Sequence, residues 1–486
     1  MTTSISTTGS VSSAGIGSGL DVNSIITGLM KVEKLPLTQL QDQATSIQTT
    51  ISAFGAIKST MSTFRDAAAA LALPSTWNAT TGTSSDSTAV GVATGSNAST
   101  GTYAVQVTKL AASQSTVSGT FASNTALVGA GTLHIDLGTW SSGQGAFTAK
   151  SGSTGKDITV TATDTLETLA AKVNSSSSGV AATIVNDASG SRLVFSSSTT
   201  GTDNGFRITA ADSDGANTDA SGLSALAFDP AGGTSTTTIT QEAANAAATV
   251  NGLAITSATN SLANVFSGLT ITLSKVTSSP VQVSVAQDAT AIKKSVQTFV
   301  DSYNALSSLL STDLKYDSAS QTAGPLQGDS AAVSLQRQLR GLVGDSSTAS
   351  SVFSTLSQVG LEFQTDGTLK INDTKLSAAM ANPVELKKLF TNVDATTPAN
   401  NGIATKLRTL SNAILGGDGL LTARLAGLSS KLTRNQKDQD TLSDRLDATE
   451  ARLKAQYTAL DKKMSGISTL STYITQQIAN WNKSSG

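Results

Sequence analysis

At 486 residues the chain is too long for one hydrophobic core, so two to four domains are expected. A net charge of −2 offers no broad basic surface to nucleic acid, and the lack of cysteine excludes disulfides, thiolate metal sites and cysteine nucleophiles. With aromatics at 4% and charged residues at 14%, Ser, Thr, Ala and Gly dominate, which suits thin-cored, layered modules better than one large globule.

Residues 1–13 are rich in Ser and Thr, carry no Lys or Arg and lead into no apolar core of signal-peptide type. No run approaches the roughly 18 apolar residues of a membrane span, so no membrane insertion is expected. The chain is therefore expected to be cytoplasmic or exported by a route that removes no signal peptide. A turn punctuated by Gly15, Gly17 and Gly19 precedes a short helix through Ile25, Ile26, Leu29 and Met30, with Asp21 or Asn23 as its cap. Pro36 marks a break before a longer helix, which Pro74 ends. In that helix Leu40, Ile47, Phe54, Met61 and Ala68 recur in sevens, with Ile57, Phe64 and Leu71 beside them.

From Thr76 to about Gln287 the pattern changes to short alternating runs, as in Tyr103, Val105, Val107 and again in Val281, Val283, Val285, which predicts antiparallel strands. Within this region lies a module of its own. Ile158 and Val160 predict a strand, Asp164 with Glu167 a capping box, and Leu166, Leu169, Ala170 and Val173 a helix ending before Asn174. Strands are predicted again over 179–184 and 193–195. Asp212, Asp214, Asn217 and Asp219 miss the EF-hand spacing and lack its closing glutamate, so a solvated turn is expected there.

Helix returns at Ile292, Val296, Phe299, Val300, Tyr303, Leu306 and Leu310. A hairpin pairs Leu361 and Phe363 with Leu369 and Ile371 across Asp366-Gly367, and Asn382-Pro383 opens a helix through Leu386, Leu389 and Phe390. A long terminal helix then carries one line in sevens: Leu425, Leu432, Gln439, Leu446, Leu453, Leu460, Ile467, Ile474 and Trp481. So narrow and long a stripe calls for a partner helix, and the two chain ends are expected to meet. The companion line from Leu428 passes through Asn435, Thr449, Gln456, Lys463 and Gln477, polar residues that select register more than they stabilise. Since an isolated helix is marginal in water, the extreme ends are expected to order only against other subunits.

No catalytic, cofactor or metal site is expected. His134 is the only histidine, sits between Leu133 and Ile135 in a predicted strand, and has no local partner motif. Gly15-x-Gly17-x-Gly19 follows no strand and has no Lys at Walker spacing, while Asp438, Asp440, Asp444 and Asp447 fall on the outer face of the terminal helix.

Gly15-Ile16-Gly17-Ser18-Gly19-Leu20-Asp21-Val22-Asn23, followed by Ile25 and Ile26, resembles the N-terminal signature of the bacterial flagellar filament-capping family, the hook-associated protein 2 family. Val250-Asn251-Gly252, Asn260, Gly268-Leu269-Thr270, Val359-Gly360-Leu361, Asp366 to Leu369 and Asp418-Gly419-Leu420-Leu421 are similar to later parts of it, and the module from Leu166 to Phe195 resembles an insertion found in flagellins and hook proteins. The resemblance implies an α+β multidomain fold, with paired N- and C-terminal α-helices forming a coiled-coil leg and antiparallel β-rich head domains inserted between them. The expected parts are a terminal leg over 1–43 and 430–486, disordered in the monomer, and a helical leg domain with its hairpin over 44–73 and 288–429. A β-rich head domain over 74–130 and 240–287 and an inserted head domain over 131–239 complete it.

The function it implies is a ring at the distal tip of the flagellar filament, secreted, non-enzymatic and without cofactor, that promotes flagellin folding and insertion. Its implied partners are further copies of itself, flagellin, the hook-filament junction protein, a cytoplasmic export chaperone and the flagellar type III export apparatus. Assembly is expected to run through the seam residues Leu425, Leu432, Leu446, Leu453, Leu460, Ile467, Ile474, Trp481, Leu40, Ile47, Phe54 and Met61. Gly15, Gly17, Gly19, Leu20 and Asp21 carry the family motif. Two other readings are a flagellin-like or junction axial subunit, which would build filaments or a sleeve, and a tip adhesin.

Overall fold

The computed structural model describes residues 21–95, 98–319 and 321–484. In chain order its longer helices are α1 (Val22–Glu33), α2 (Leu35–Ala72), α3 (Leu166–Ser175), α4 (Ala289–Leu314), α5 (Ser330–Val343), α6 (Asp373–Met380), α7 (Pro383–Thr391), α8 (Ile403–Leu415) and α9 (Leu420–Ser484). The chain divides into two compact units, Met1–Pro74 with Lys293–Gly486, and Ser75–Ile292.

The first unit is helical. Pro36 lies in the first turn of α2 and lacks the N–H that would continue α1, so the chain breaks for a single residue, Lys34, and resumes. α2 packs on α8 and α9, burying Phe54, Ile57, Met61, Phe64 and Leu71. Phe64 meets Phe299 and Tyr303 of α4 at centroid distances of 5.5 and 5.9 Å.

The hairpin is held to α4 by polar contacts as well as by burial. Leu361 pairs with Ile371 and Phe363 with Leu369, and Gly367 takes φ 88° at the turn, a backbone conformation that favours glycine. The Asn304 amide closes two bonds on the Leu369 backbone, at 2.7 and 2.9 Å, and the Ser307 hydroxyl donates to the Gly367 carbonyl at 2.8 Å.

At the start of α7, Glu385 gathers a cluster. The Lys388 ammonium lies 2.8 Å from one oxygen, and the Ser350 hydroxyl and the Ser351 N–H each donate to the other at 2.8 Å. Lys388 first, then the two serines, hold the carboxyl down at about 2, against an ordinary 4.5. A depressed folded-state pKa stabilises above the ordinary value and loses that contribution as pH falls towards 2. Glu385→Gln is therefore expected to be less stable than the parent near pH 6 and to converge with it near pH 2 in urea titrations; a gap that stays constant with pH would contradict this.

The second unit holds two apolar cores. One joins a five-stranded sheet, ordered Thr80–Ser84, Val281–Gln287, Gly101–Lys109, Ala246–Val250, Leu253–Ser257, to a three-stranded sheet of Ser261–Phe266, Leu269–Leu273 and Val90–Thr94. Val105, Val107, Val281, Val283 and Val285 point into it, and Tyr103 packs at its margin. The other core lies among Gly131–Trp140 with its partner strands, Val180–Asp187 with Gly190–Ser197, and α3.

Around this second core the sequence reading needs one correction and some added detail. The cap of α3 is Thr165, boxed with Thr168, whereas Asp164 with Glu167 was expected. The box needs its two side chains three residues apart across the first turn, and Thr165 is the residue that takes the extended cap conformation. Asp164 instead receives the Lys172 ammonium at 2.5 Å and the Thr161 N–H at 2.6 Å, which together hold its carboxyl far below the usual range. Asn174, expected just past the helix, lies inside α3 and ties it to a strand through two bonds with the Ala182 backbone, at 2.8 and 2.9 Å. In the loop after residue 211, Asp212 accepts from the Leu223 and Ser224 N–H groups at 2.6 and 3.1 Å, and Asp219 accepts from the Ser224 hydroxyl at 2.7 Å. These carboxylates are engaged by their own loop.

His134 lies in Gly131–Trp140 as expected, set between Asp157 at 2.5 Å and Asp136 at 3.0 Å, and Arg207 meets Asp136 at 2.8 Å. The hydrogen bond to Asp157 is the chief reason that its pKa rises above the usual value. This is a cross-strand ion-pair ladder on a half-exposed sheet face, not a nucleophile's triad.

Candidate assembly surface

The two helical ends pair antiparallel. The Gln439 amide reaches the Leu40 carbonyl at 3.4 Å, and the Arg424 guanidinium lies 5.9 Å from the Phe54 ring centre. Fourteen residues up α2, from Leu40 to Phe54, thus correspond to fifteen down α9, from Gln439 to Arg424. Carrying that register back through α1 sets Val22 level with Tyr457, and Val22, Ile26, Met30, Leu37, Leu442, Leu446, Leu453 and Tyr457 do form one apolar cluster.

The seam residues divide along this axis. Phe54, Met61 and Leu446 are buried; Leu40, Ile47, Leu425, Leu432 and Leu453 are half-buried. Leu460, Ile467, Ile474 and Trp481 are 45%, 61%, 48% and 76% exposed. The change falls where α1 runs out. Asp21, the first described residue, caps α1 by accepting the Ser24 N–H at 2.9 Å, and stands level with the residue after Tyr457. Gly15, Gly17, Gly19 and Leu20 lie outside the described residues.

Past that point α9 carries Leu460, Met464, Ile467, Ile474, Ile478 and Trp481 at alternating spacings of four and three, with Ser471 filling the gap. That is the a/d pattern of a coiled-coil face. Asp438, Asp440, Asp444 and Asp447 all lie exposed on α9. Asn435 is buried, receiving the Gln439 amide at 2.6 Å, so the seam contains a polar link. Its companions Gln456, Lys463 and Gln477 are exposed and Thr449 is half-buried.

Counting in sevens missed part of the surface. Tyr457 belongs to the seam yet lies on neither line, and α1 shows a second apolar face, Ile25, Leu29 and Val32, which stays exposed together with Leu35. The i, i+4, i+7 spacing of Ile25, Leu29 and Val32 was the available signal.

A β-sheet head carried in the chain between two helical ends that pair with each other, one of them extending as an open heptad face, defines a multidomain structural subunit built for assembly. The family models agree: "Flagellar hook-associated protein 2 N-terminus" matches residues 18–114, its C-terminal counterpart residues 243–469, and "Flagellin hook IN motif" residues 146–199. Flagellar hook-associated protein 2 of Escherichia coli K12 is 31% identical over 97% of this chain and 98% of its own, and that of Salmonella typhimurium is 31% identical over 98% and 100%. The crystal structure of the D1-D2-D3 domains of the flagellar cap protein FliD from Escherichia coli superposes with a TM-score of 0.62 at 26% identity, covering 78% of this chain and 99% of that one. The chain belongs to the flagellar hook-associated protein 2 family. The model that names flagellin covers residues 146–199, whereas those for hook-associated protein 2 cover both ends of the chain, which does not favour the axial-subunit reading.

Proposed function

We propose that this protein caps the distal tip of the bacterial flagellar filament, outside the cell, as a ring of identical subunits that retains arriving flagellin and promotes its folding and insertion. The observation that carries this reading is the heptad face past Leu460, on a helix whose lower half is already paired within the chain. Such a face suits a surface completed by neighbouring subunits. Further partners in this reading are the hook-filament junction protein, an export chaperone and the type III export apparatus. The subunit works by binding and shape, without catalysis.

Deletion of the gene in a motile host is expected to abolish filaments while unpolymerised flagellin accumulates in the medium; unchanged filaments would overturn the assignment. The terminal turns are expected to exchange their amide hydrogens quickly in the monomer and slowly in the ring.

The polar seam belongs to the same reading. A ring on a helical filament meets nonequivalent sites, so its legs must adapt from one subunit to the next, and a seam with Asn435 buried in it holds register without locking. Leucine at Asn435, Thr449 and Gln456 together is expected to raise thermal stability by about 1–2 kcal/mol and to slow filament growth. Normal growth on stiffened legs would count against the adaptive role.

A further inference from the structure

A recess of about 90 Å³ opens in the head where the end of strand Gly131–Trp140 meets the returning chain at residues 239–243. Trp140 forms one wall, and it is fixed in place. Its Nε1–H donates to the Phe206 carbonyl at 2.9 Å, and its ring packs on Phe147 and Phe228 with centroids 4.8 and 5.6 Å away. Gln144 and Glu242 form another wall, the Gln144 amide donating to one Glu242 oxygen at 3.2 Å. Gln144 sits at φ 61°, in the left-handed region that costs a side chain about 1 kcal/mol, and is held there by its N–H bond to the Ser141 carbonyl at 2.9 Å.

The hydrogen-bonding inventory of the walls decides what could enter. The Trp140 N–H and one N–H of the Gln114 amide both go to the Phe206 carbonyl, and one N–H of the Gln144 amide goes to Glu242. The second Glu242 oxygen, the Gln144 carbonyl oxygen and the hydroxyls of Ser142 and Thr202 make no hydrogen bond to a described residue. Glu242 forms no ion pair among the described residues. The recess is thus lined by one indole, the apolar Ile239, neutral amide and hydroxyl groups, and a single charge, the Glu242 carboxylate.

An ammonium group has three donors, no acceptor and a positive charge, and it binds favourably against an indole face. An anion is repelled by Glu242, and a neutral polyol brings no charge to pair with it. Size narrows the choice further, since a water occupies roughly 30 Å³ of liquid and drug-sized ligands need pockets of roughly 300 Å³ or more. We propose that this recess binds a primary ammonium on an unbranched aliphatic stem, the chemistry shared by a lysine side chain and a short alkylamine.

Saturation-transfer NMR on the full chain tests this with n-butylammonium and N-acetyl-lysine methylamide, against methyl glucopyranoside and butyrate as neutral and anionic controls. Both amines are expected to give saturable signals, and Glu242→Gln, an exposed position whose exchange leaves the fold intact, to weaken them about tenfold. Equal binding of the capped lysine assigns the site to a side chain of a protein partner; binding of butylammonium alone assigns it to a free amine. Preference for either control, or amine binding unchanged in the Glu242→Gln variant, overturns the proposal.

Discussion

Serine in place of Leu460, Ile467 and Ile474 is expected to leave the isolated chain as stable as its parent and to abolish filament growth. All three side chains are largely exposed, so their loss removes little burial from the folded monomer, and surface substitutions of this kind move stability by about 0.5 kcal/mol at most. In an assembled seam each would bury an apolar side chain worth about 2 kcal/mol. Three together are worth about 6 kcal/mol, or about four powers of ten in affinity. Denaturation of the monomer and electron microscopy of flagella separate the two effects. Filaments of normal length on the triple variant would show that this face is not an assembly surface. A large loss of monomer stability would show that it is already covered within the chain.

The second expected result concerns a polar joint inside the helical unit. Asp329 caps α5, one of its oxygens accepting the Ala331 and Ala332 N–H groups at 2.9 and 3.3 Å, while the other receives the Arg424 Nε–H at 3.0 Å. The Arg424 guanidinium is thus set between Asp329 and the Phe54 ring, so one side chain links α5, α9 and α2. Asp329→Ala removes the cap, worth about 1 kcal/mol, and leaves a partly buried cation without its partner, which brings the expected cost to about 3 kcal/mol. Asp329→Asn keeps the capping oxygen and is expected to lose roughly half as much. Urea titrations of the two variants test this; equal losses would place the whole effect in the ion pair with Arg424.

Elements whose cause is local were legible in the sequence. The hairpin follows from Asp366-Gly367, where a positive φ is needed within two residues, and α7 starts at Asn382-Pro383 because proline suits a first turn. The valine alternations of the head likewise lie inward as their period requires. The cap of α3 was misplaced by one residue, because Asp164 and Thr165 are both good capping types and only the extended backbone at Thr165, with Lys172 drawing Asp164 aside, separates them. Nothing in the sequence marked the Trp140 recess, whose walls come from segments about a hundred residues apart.

The terminal helices show the same division most plainly. A seven-residue period is written in neighbouring residues, so the stripe from Leu425 to Trp481 and the need for a facing helix could be read without coordinates. How deep each member of that stripe lies could not, because burial depends on a segment nearly four hundred positions away, as the contact between Gln439 and Leu40 shows. Leu446 is covered and Ile467 is open, though both are aliphatic members of one line. The antiparallel register of α1 and α2 on α9 sets that boundary.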